Sequence, residues 1–217
     1  MDNIHGVGSN FNLGQLLKTR ELTKEVIGKV KDSVWIGMTE LDGHNLINEE
    51  LENVGVLKYW HPHKFRIGKN TTCSFREESD KDVILSENDI YFIDIGPVFD
   101  GYEGDFGHTF TIGKNNQYSE ISNVVKEVFN ETVSYWHENK CTGVELYNYA
   151  SECANKRGYV LNKKMRGHRI GDFPHHIHYR GGLCDMGKYP LENLWVLEIH
   201  ILDAEDRFGA FFEDIIL

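Results

Sequence analysis

The chain has 217 residues and a formal net charge of −11 at pH 7. This acidic balance argues against nucleic acid or an anionic membrane surface as the main partner, because binding phosphate groups requires a basic surface. Apolar residues make up 40% of the chain and charged residues 26%, which is typical of one globular domain with a sizeable core and excludes a fibrous or disordered protein.

Nothing in the chain indicates export or a membrane anchor. The opening residues, MDNIHGVGSNFNLG, lack the basic and apolar regions of a signal peptide, and no apolar run reaches the roughly 18 residues of a membrane span. The cysteines lie far apart without a C-x-x-C pair, so we expect reduced thiols at Cys73, Cys141, Cys153 and Cys184. We therefore predict a soluble cytoplasmic protein, for which a homodimer is a common arrangement.

Helical and β-rich segments alternate along the chain. Apolar residues at helical spacing predict a first helix over 12–31, and a weaker pattern predicts a second over 46–55. Further segments follow in chain order: a β-rich stretch at 82–113, helices at about 117–138 and 143–157, and a second β-rich stretch at about 159–217. No Pro/Gly/Ser-rich linker interrupts this order, so we predict one domain over 1–217 with two similar halves, about 1–113 and 117–217.

A hairpin carrying two aspartates is predicted in the first β-rich stretch. Asp100-Gly101 is a two-residue turn signal, and a turn centred there pairs Asp94 with Gly107. Asp94 and Asp105 then lie on one face as diagonal neighbours, roughly 7–8 Å apart at the backbone. The alternative is a pair of solvated acids, but an acid within the apolar strand YFIDI is usually paired or metal-bound when buried.

A second hairpin, carrying two glutamates, is predicted near the end of the chain. A turn centred on Glu205-Asp206 places Glu198 directly opposite Glu213. Two facing carboxylates repel each other, so either one is protonated or a cation neutralises both. A longer, asymmetric loop would break this facing and is the alternative.

A cluster of histidines lies between the two hairpins. The segment GHRIGDFPHHIHYRGG carries His168, His175, His176 and His178. This density, bounded by glycines, suits either metal binding or structural hydrogen bonding. The spacing differs from the H-E-x-x-H of a zincin helix, which argues against that class of metal site.

The four carboxylates and a histidine together predict a dinuclear metal centre. Four converging carboxylates would repel one another strongly, and two divalent ions would balance their charge. Such an oxygen-rich set suits manganese or iron(II), with zinc or cobalt as alternatives. Because two ions roughly 3.5–4 Å apart can share a hydroxide nucleophile and polarise a carbonyl, we expect hydrolysis.

These segments resemble the motifs of the pita-bread metallopeptidases, which include methionine aminopeptidase, aminopeptidase P and prolidase. DIGPVFDGYEGDFGHTFTIG is similar to their first metal-binding hairpin, GHRIGDFPH to their G-H-x-I-G segment, LEIHI to the segment with the fourth ligand, and FFEDIIL to the closing E-D-T-V-L motif. The resemblance covers about residues 56–217. It implies an α+β pita-bread fold, with a curved antiparallel sheet backed by helices and the site between pseudo-symmetric halves.

The resemblance also implies a role for each matching residue. It supplies five metal ligands in chain order: Asp94, Asp105, His168, Glu198 and Glu213. Asp94 would chelate one ion, His168 and Glu198 the other, and the remaining two carboxylates would bridge both. Glu198 would also carry a proton from the attacking water to the leaving amine. His175, seven residues after His168, would bind the substrate and steady the tetrahedral intermediate.

One departure from the family pattern concerns a histidine. The family commonly has a histidine 17 or 18 residues before the first aspartate, where this chain has Arg76-Glu77. His61 or His63 could take its place, although the sequence around them favours a structural or surface role for both.

Other departures concern the substrate. His176 stands where the family often has glutamate, and Phe211 where arginine or glutamine is usual. Glu198 and Glu213 are only fifteen positions apart, which leaves no room for the excursion that forms a methionine pocket, so methionine specificity is not expected. We also expect no separate N-terminal domain of the aminopeptidase P and prolidase kind, and the sequence therefore does not specify a preference for proline.

The predicted function is a metal-dependent hydrolase that removes an N-terminal residue from a small peptide or splits a dipeptide, loosely of the Xaa-Pro type. An amidinohydrolase of the creatinase kind, acting on a small non-peptide substrate, is one alternative. A pita-bread module that binds peptides or proteins without catalysis is the other.

Overall fold

The computed structural model describes residues 3–217 and combines four α-helices with two antiparallel sheets over that range. The helices are α1 (Leu13–Asp32), α2 (Glu40–Asn53), α3 (Asn116–Asn139) and α4 (Gly143–Lys156). The strands are β1 (Lys64–Ile67), β2 (Asp89–Ile95), β3 (Val98–Phe99), β4 (Tyr102–Glu103), β5 (Phe106–Ile112), β6 (Val160–Leu161), β7 (His168–Arg169), β8 (Trp195–Leu202) and β9 (Gly209–Ile215). Among the described residues, no helix is both long and apolar enough to cross a membrane.

Three of the four helices begin and end within one residue of their predicted bounds, whereas α2 begins six residues earlier than predicted. The reason is a capping box at its start. The hydroxyl of Thr39 accepts a hydrogen bond from the Asp42 amide at 3.2 Å, and the Asp42 carboxylate accepts one from the Thr39 amide at 2.8 Å. This reciprocal pair satisfies two amides that lack helical partners, so it sets the first turn more strongly than the apolar spacing does.

The second β-rich stretch contains less strand than predicted. β6 and β7 have two residues each, and the long strands β8 and β9 begin only at Trp195. Between β7 and β8 the chain forms two short 3₁₀ turns, His175–Ile177 and Leu183–Asp185. The glycine-rich and histidine-rich composition of this segment explains the absence of strand there, because it lacks the alternating apolar residues that pack a sheet.

The larger sheet has the order β1-β2-β5-β9-β8-β6, with β7 paired to β8. The hairpins β2–β5 and β8–β9 therefore lie side by side and join through β5 and β9. Apolar residues of α1 and α2 pack with β1 and β2 in one buried cluster, and those of α3 and α4 pack with β8 in another. The helices thus cover the sheet and hold the two hairpins in a fixed relation.

Strand register then aligns one position on each of four adjacent strands. Asp94 of β2 pairs with Gly107 of β5, Gly107 pairs with Glu213 of β9, and Glu213 pairs with Glu198 of β8. Both predicted registers, Asp94 opposite Gly107 and Glu198 opposite Glu213, are confirmed. Since paired residues share a face of the sheet, three carboxylates and one glycine form a row across its centre.

Candidate metal centre

The row across the sheet brings acidic side chains from both hairpins together. Gly107 stands between Asp94 and Glu213 and leaves the space that their side chains need. A Cβ atom at Gly107 would lie only 2.8 Å from Oε1 of Glu213 and 2.5 Å from Cε1 of Phe211. A side chain at this position would therefore push Glu213 out of the row.

Asp105 lies one residue before β5 and is fully buried. Its Oδ2 atom is 2.9 Å from Nε2 of His168, and its Oδ1 atom is 3.4 Å from Nε2 of His61. Two groups of potential ligand atoms share this residue, His61/Asp94/Asp105 and Asp105/His168/Glu213, and the atoms of each group lie within 4.8 Å of one another. Asp105 thus occupies the centre of the cluster, as a bridging carboxylate would.

His168 reaches the cluster from β7, where it pairs with Val196 of β8. Its Nδ1 atom lies 2.7 Å from the carbonyl oxygen of Arg169, and because a carbonyl only accepts, Nδ1 carries the hydrogen. In the neutral ring the lone pair is then on Nε2, which faces Asp105. A backbone carbonyl of this kind commonly orients histidines that bind metals.

The carboxylates of the cluster have strongly perturbed ionisation. Burial raises the pKa of Asp94 to about 6 and raises the pKa of Glu213 well above its usual value. Burial acts in the same direction on Asp105, but its close contacts with His168 and His61 outweigh burial and leave the pKa of Asp105 below its usual value. The cluster without an added cation therefore holds fewer negative charges than it has carboxylates.

The histidines respond in the opposite direction. Burial lowers the pKa of His168, but the close contact with Asp105 and the attraction of its negative charge outweigh burial and raise the pKa to about 9. For His61, the charge of Asp94 and contact with Asp105 likewise outweigh burial and raise the pKa to about 8. Both rings are drawn toward the cationic form by the surrounding carboxylates, so positive charge is favoured at this position.

Divalent ions fit the donor atoms of the cluster. One carboxylate oxygen on each of three residues is buried without a hydrogen-bond partner: Oδ1 of Asp94, Oδ2 of Asp105 and Oε1 of Glu213. The 2.9 Å contact between Asp105 and His168 therefore lacks the alignment of a hydrogen bond. Buried polar atoms without hydrogen-bond partners are rare in proteins. Here they lie on three carboxylates that would coordinate a cation.

Glu198 lies beside the cluster and is held differently from the other carboxylates. Its Oε2 atom accepts hydrogen bonds from the backbone amides of Arg166 at 2.7 Å and Gly167 at 2.6 Å. Glu198 lines the cleft next to the cluster but belongs to neither group of closely spaced ligand atoms. The structure therefore shows Glu198 with one oxygen committed to the backbone and the other available.

The other histidines of the histidine-rich segment, His175, His176 and His178, lie in different surroundings in the structure. His175 is buried, and its ring stacks beside that of His168 with centroids 5.6 Å apart. Glu103 holds it, accepting from the His175 backbone amide at 2.9 Å and from Nδ1 at 2.7 Å. His176 is exposed, and His178 lies near the N-terminal segment at Gly6. Of these four histidines, only His168 and His175 are therefore in or next to the acidic cluster.

His61 and His63 are both buried, at 8% and 6% exposure, so of the predicted structural or surface role only the surface position is wrong. His61 enters the acidic cluster. His63 packs against Tyr59 with ring centroids 4.5 Å apart, and neither of its ring nitrogens has a hydrogen-bond partner. Burial lowers the pKa of His63 to about 4. The apolar and aromatic residues around both positions in the sequence indicate burial. No sequence pattern, however, distinguishes the histidine that enters the acidic cluster from the one that packs against Tyr59.

A cleft of about 630 Å³ opens beside the cluster. His61, Asp94, His168, Glu198 and Glu213 line it on the side of the cluster, and Arg76 and Glu77, at the positions where a family histidine was expected, line it elsewhere. Phe211 is fully buried and packs against Phe92 with ring centroids 5.3 Å apart, so its side chain contributes to the core rather than to the cleft.

Comparison with known proteins agrees with this fold. The profile of the family described as metallopeptidase family M24 matches residues 14–217. A methionine aminopeptidase of Aquifex aeolicus (strain VF5) is 24% identical over 174 residues, which cover 75% of this chain and 67% of that protein.

Solved structures with the same fold include two kinds of aminopeptidase. The X-Pro aminopeptidase of Thermotoga maritima MSB8 has a TM-score of 0.75 at 19% identity, over 93% of this chain and 56% of that one. The methionine aminopeptidase of Thermotoga maritima has a TM-score of 0.74 at 15% identity, over 96% and 93% of the two chains. This chain therefore spans little more than half the length of the X-Pro enzyme and nearly all of the methionine enzyme.

The antiparallel sheet backed by helices and the central cluster of carboxylates and histidines define a pita-bread domain of the metallopeptidase class. The match over nearly the whole chain shows that it belongs to metallopeptidase family M24.

Proposed function

We propose that this chain is a dinuclear metal-dependent peptidase that removes the N-terminal residue of a short peptide or splits a dipeptide, with Xaa-Pro peptides as the first substrates to test. The observation that carries the proposal is the convergence of unpartnered, buried carboxylate oxygens from two separate hairpins on one cluster that contains His61 and His168. Such an arrangement is costly without cations and stable with them.

The proposed metal ligands are Asp94, Asp105, His168, Glu198 and Glu213. Two divalent ions, manganese first and iron, cobalt or zinc as alternatives, would supply an activated water and polarise the peptide carbonyl. Asp105 is the proposed bridge, since its two oxygens face different histidines.

Glu198 is proposed to move the proton during hydrolysis. The two backbone amides that bind Oε2 fix the direction of the carboxylate. Oε1 is then available to take a proton on the cleft side and to return it to the leaving amine. A carboxylate held in this way needs no rearrangement between the two transfers, which favours general acid–base catalysis.

His175 is proposed to bind the substrate. Glu103 holds both its backbone amide and its Nδ1 atom, so the ring has one orientation. The ring lies next to that of His168 and contacts the ring of Trp60, whose centroid is 5.1 Å from its own. A peptide bound at the cluster would therefore pass within reach of its Nε2 atom.

The cleft supports a short substrate. Its volume of about 630 Å³ lies within the range of sites for small molecules. Three basic residues, Arg76, Lys164 and Arg166, line it in a chain that is acidic overall. Lys164 pairs with Glu77 and Arg166 with Asp185, whereas Arg76 is exposed. This distribution favours a substrate with a free C-terminal carboxylate. The four free cysteines support a cytoplasmic location.

The test combines elemental analysis with turnover. Protein prepared with and without chelator is analysed for metal, reconstituted with manganese, and assayed on dipeptides and tripeptides, including Xaa-Pro peptides and matched peptides with amidated C-termini. We expect about two ions per chain, cleavage that depends on them, and faster cleavage of the free acids.

Other outcomes would redirect the assignment. Two bound ions without cleavage of any peptide would contradict a peptidase, and small amides and guanidino compounds would then be assayed for an amidinohydrolase. A protein that binds no metal and whose melting temperature is unchanged by manganese would instead be a peptide-binding module.

A further inference from the structure

His61 belongs to the acidic cluster but lies outside the five predicted ligands. Its Nε2 atom is 3.4 Å from Oδ1 of Asp105 and 3.5 Å from Oδ1 of Asp94. These separations are longer than the 2.7–2.9 Å typical of a charge-assisted hydrogen bond. Oδ1 of Asp94 also has no hydrogen-bond partner. The ring therefore faces two carboxylates without a close bond to either.

The separations match those between ligands of a single ion. Two ligand atoms about 2.1 Å from one metal, at angles between about 90° and 110°, lie roughly 3.0–3.4 Å apart. The contact of His168 with Asp105, at 2.9 Å, is just below this range, and the contacts of His61 with Asp105 and Asp94, at 3.4 Å and 3.5 Å, are at and just above its upper end.

The tautomer of His61 also suits a ligand. Nδ1 lies 3.0 Å from the carbonyl oxygen of Pro62, which can only accept, so Nδ1 carries the hydrogen and Nε2 has the lone pair in the neutral ring. His168 is held in the same way by the carbonyl of Arg169. Each histidine thus donates to the carbonyl of the next residue and presents Nε2 to one oxygen of Asp105.

The position of His61 is set by the backbone around it. The Trp60 amide donates to the Gly96 carbonyl at 2.9 Å, and the Val98 amide donates to the Lys58 carbonyl at 2.8 Å. These bonds join the segment before β1 to the end of β2. The ring also requires glycine at position 96, because a Cβ atom there would lie 2.3 Å from Nε2 of His61.

We propose that His61 is a sixth metal ligand, which binds through Nε2 the ion held by Asp94 and Asp105. Each ion then has one histidine, His61 on the side of the β2–β5 hairpin and His168 on the side of the β8–β9 hairpin. This assignment rests on the dinuclear centre of the proposed function and extends it to the segment before β1.

Cobalt(II) loading and proton NMR test the assignment on the unmodified protein. The ring N–H of a histidine bound to paramagnetic cobalt gives a strongly shifted signal that disappears in deuterated water. We expect two such signals, from the Nδ1 hydrogens of His61 and His168. One signal from protein that has bound cobalt would overturn the role of His61 and leave the metal centre intact, whereas protein that binds no cobalt would contradict the centre itself.

Variants then assign the signals. His61→Ala should remove one shifted signal and weaken binding of one of the two ions by about tenfold or more, measured by titration calorimetry. His63→Ala is the matched control, since His63 is equally buried two residues away, and it should keep both signals and both affinities. A folded His61→Ala variant that keeps both signals would overturn the proposal. If His61→Ala fails to fold, the count of signals in the unmodified protein decides alone.

Discussion

The two hairpins at the centre of the sheet resemble each other in their strands and differ in how their histidines arrive. In each hairpin a turn of predictable register places a carboxylate in the row, Asp94 in one and Glu198 opposite Glu213 in the other. His168 is carried by β7, a strand that pairs with β8 itself. His61 comes from a segment without regular structure before β1, held by hydrogen bonds to the end of β2. Each side therefore brings one histidine to the cluster, one from a paired strand and the other from a loop held by backbone hydrogen bonds.

The two sides also differ in the partners of their carboxylates. Glu198 is bonded to two backbone amides, whereas Oδ1 of Asp94 and Oδ2 of Asp105 have no hydrogen-bond partner. A carboxylate satisfied by the backbone suits proton transfer, and an unsatisfied one suits an ion. The side with β2 and β5 is thus proposed mainly to hold metal, and the side with β8 and β9 to hold metal and move the proton.

The largest effect on metal binding and turnover is expected at Asp105, where the two sides meet. Asp105→Asn removes the charge that both histidines face, so we expect both ions to bind at least about a hundredfold more weakly and turnover to be lost. Metal analysis and the peptide assay measure the two effects. Asp100→Asn is the control, because Asp100 is an exposed residue in the turn of the same hairpin, with a φ of 49° that asparagine readily adopts. Normal metal content in Asp105→Asn would contradict a bridging role.

A smaller effect is expected from a change that displaces the rings of His61 and its neighbour Trp60. In Gly96→Ala the new methyl group would meet His61 Cδ2 at 2.2 Å and Trp60 Nε1 at 2.6 Å, so both rings must move. We expect a loss of about 1–3 kcal/mol in the free energy of unfolding, typical of overpacking, and weaker binding of one ion only. Urea denaturation and calorimetry measure the two quantities.

The control for this change is Gly171→Ala, where the nearest atom to the new methyl group is 3.9 Å away and no strain is expected. Equal loss of both ions in Gly96→Ala would show that the two sides do not act separately.

The smallest effect is expected in the pH dependence of the melting temperature of the metal-free protein. In the folded state the pKa of His61 is about 8 and that of His168 about 9, above the value of about 6.5 in an unfolded chain. The protonated rings therefore stabilise the metal-free protein fully below pH 6.5, and this stabilisation is lost as the pH rises through 8 and 9. We expect the melting temperature of chelated protein to fall over this range and that of manganese-loaded protein to change less, because the ions replace the protons.

Variants separate the contributions of the two sides to this fall in melting temperature with rising pH. His61→Ala should remove the part of the decline that ends near pH 8, while His63→Ala should leave the profile unchanged, since the pKa of His63 is already lowered to about 4 by burial. A melting temperature of chelated protein that stays level from pH 6.5 to 9 would contradict the coupling of these histidines to the carboxylates.

The sequence by itself determined the features that depend on nearby residues. Apolar spacing predicted α1, α3 and α4, and turn residues predicted the pairs Asp94–Gly107 and Glu198–Glu213. These are local properties, since helix periodicity and hairpin register are set within about 20 residues. The family resemblance added the order of the carboxylates and histidines and implied the fold, which the comparisons confirm.

Only the tertiary structure decided how the two hairpins meet and which further histidine joins them. The pairing of Gly107 with Glu213, and the hydrogen bonds that carry His61 to the end of β2, join segments distant in sequence. His61 and His63 have similar neighbours in the sequence, yet one faces Asp105 and the other packs against Tyr59. Local patterns do not separate them, because their surroundings come from strands and loops that assemble only when the whole sheet forms.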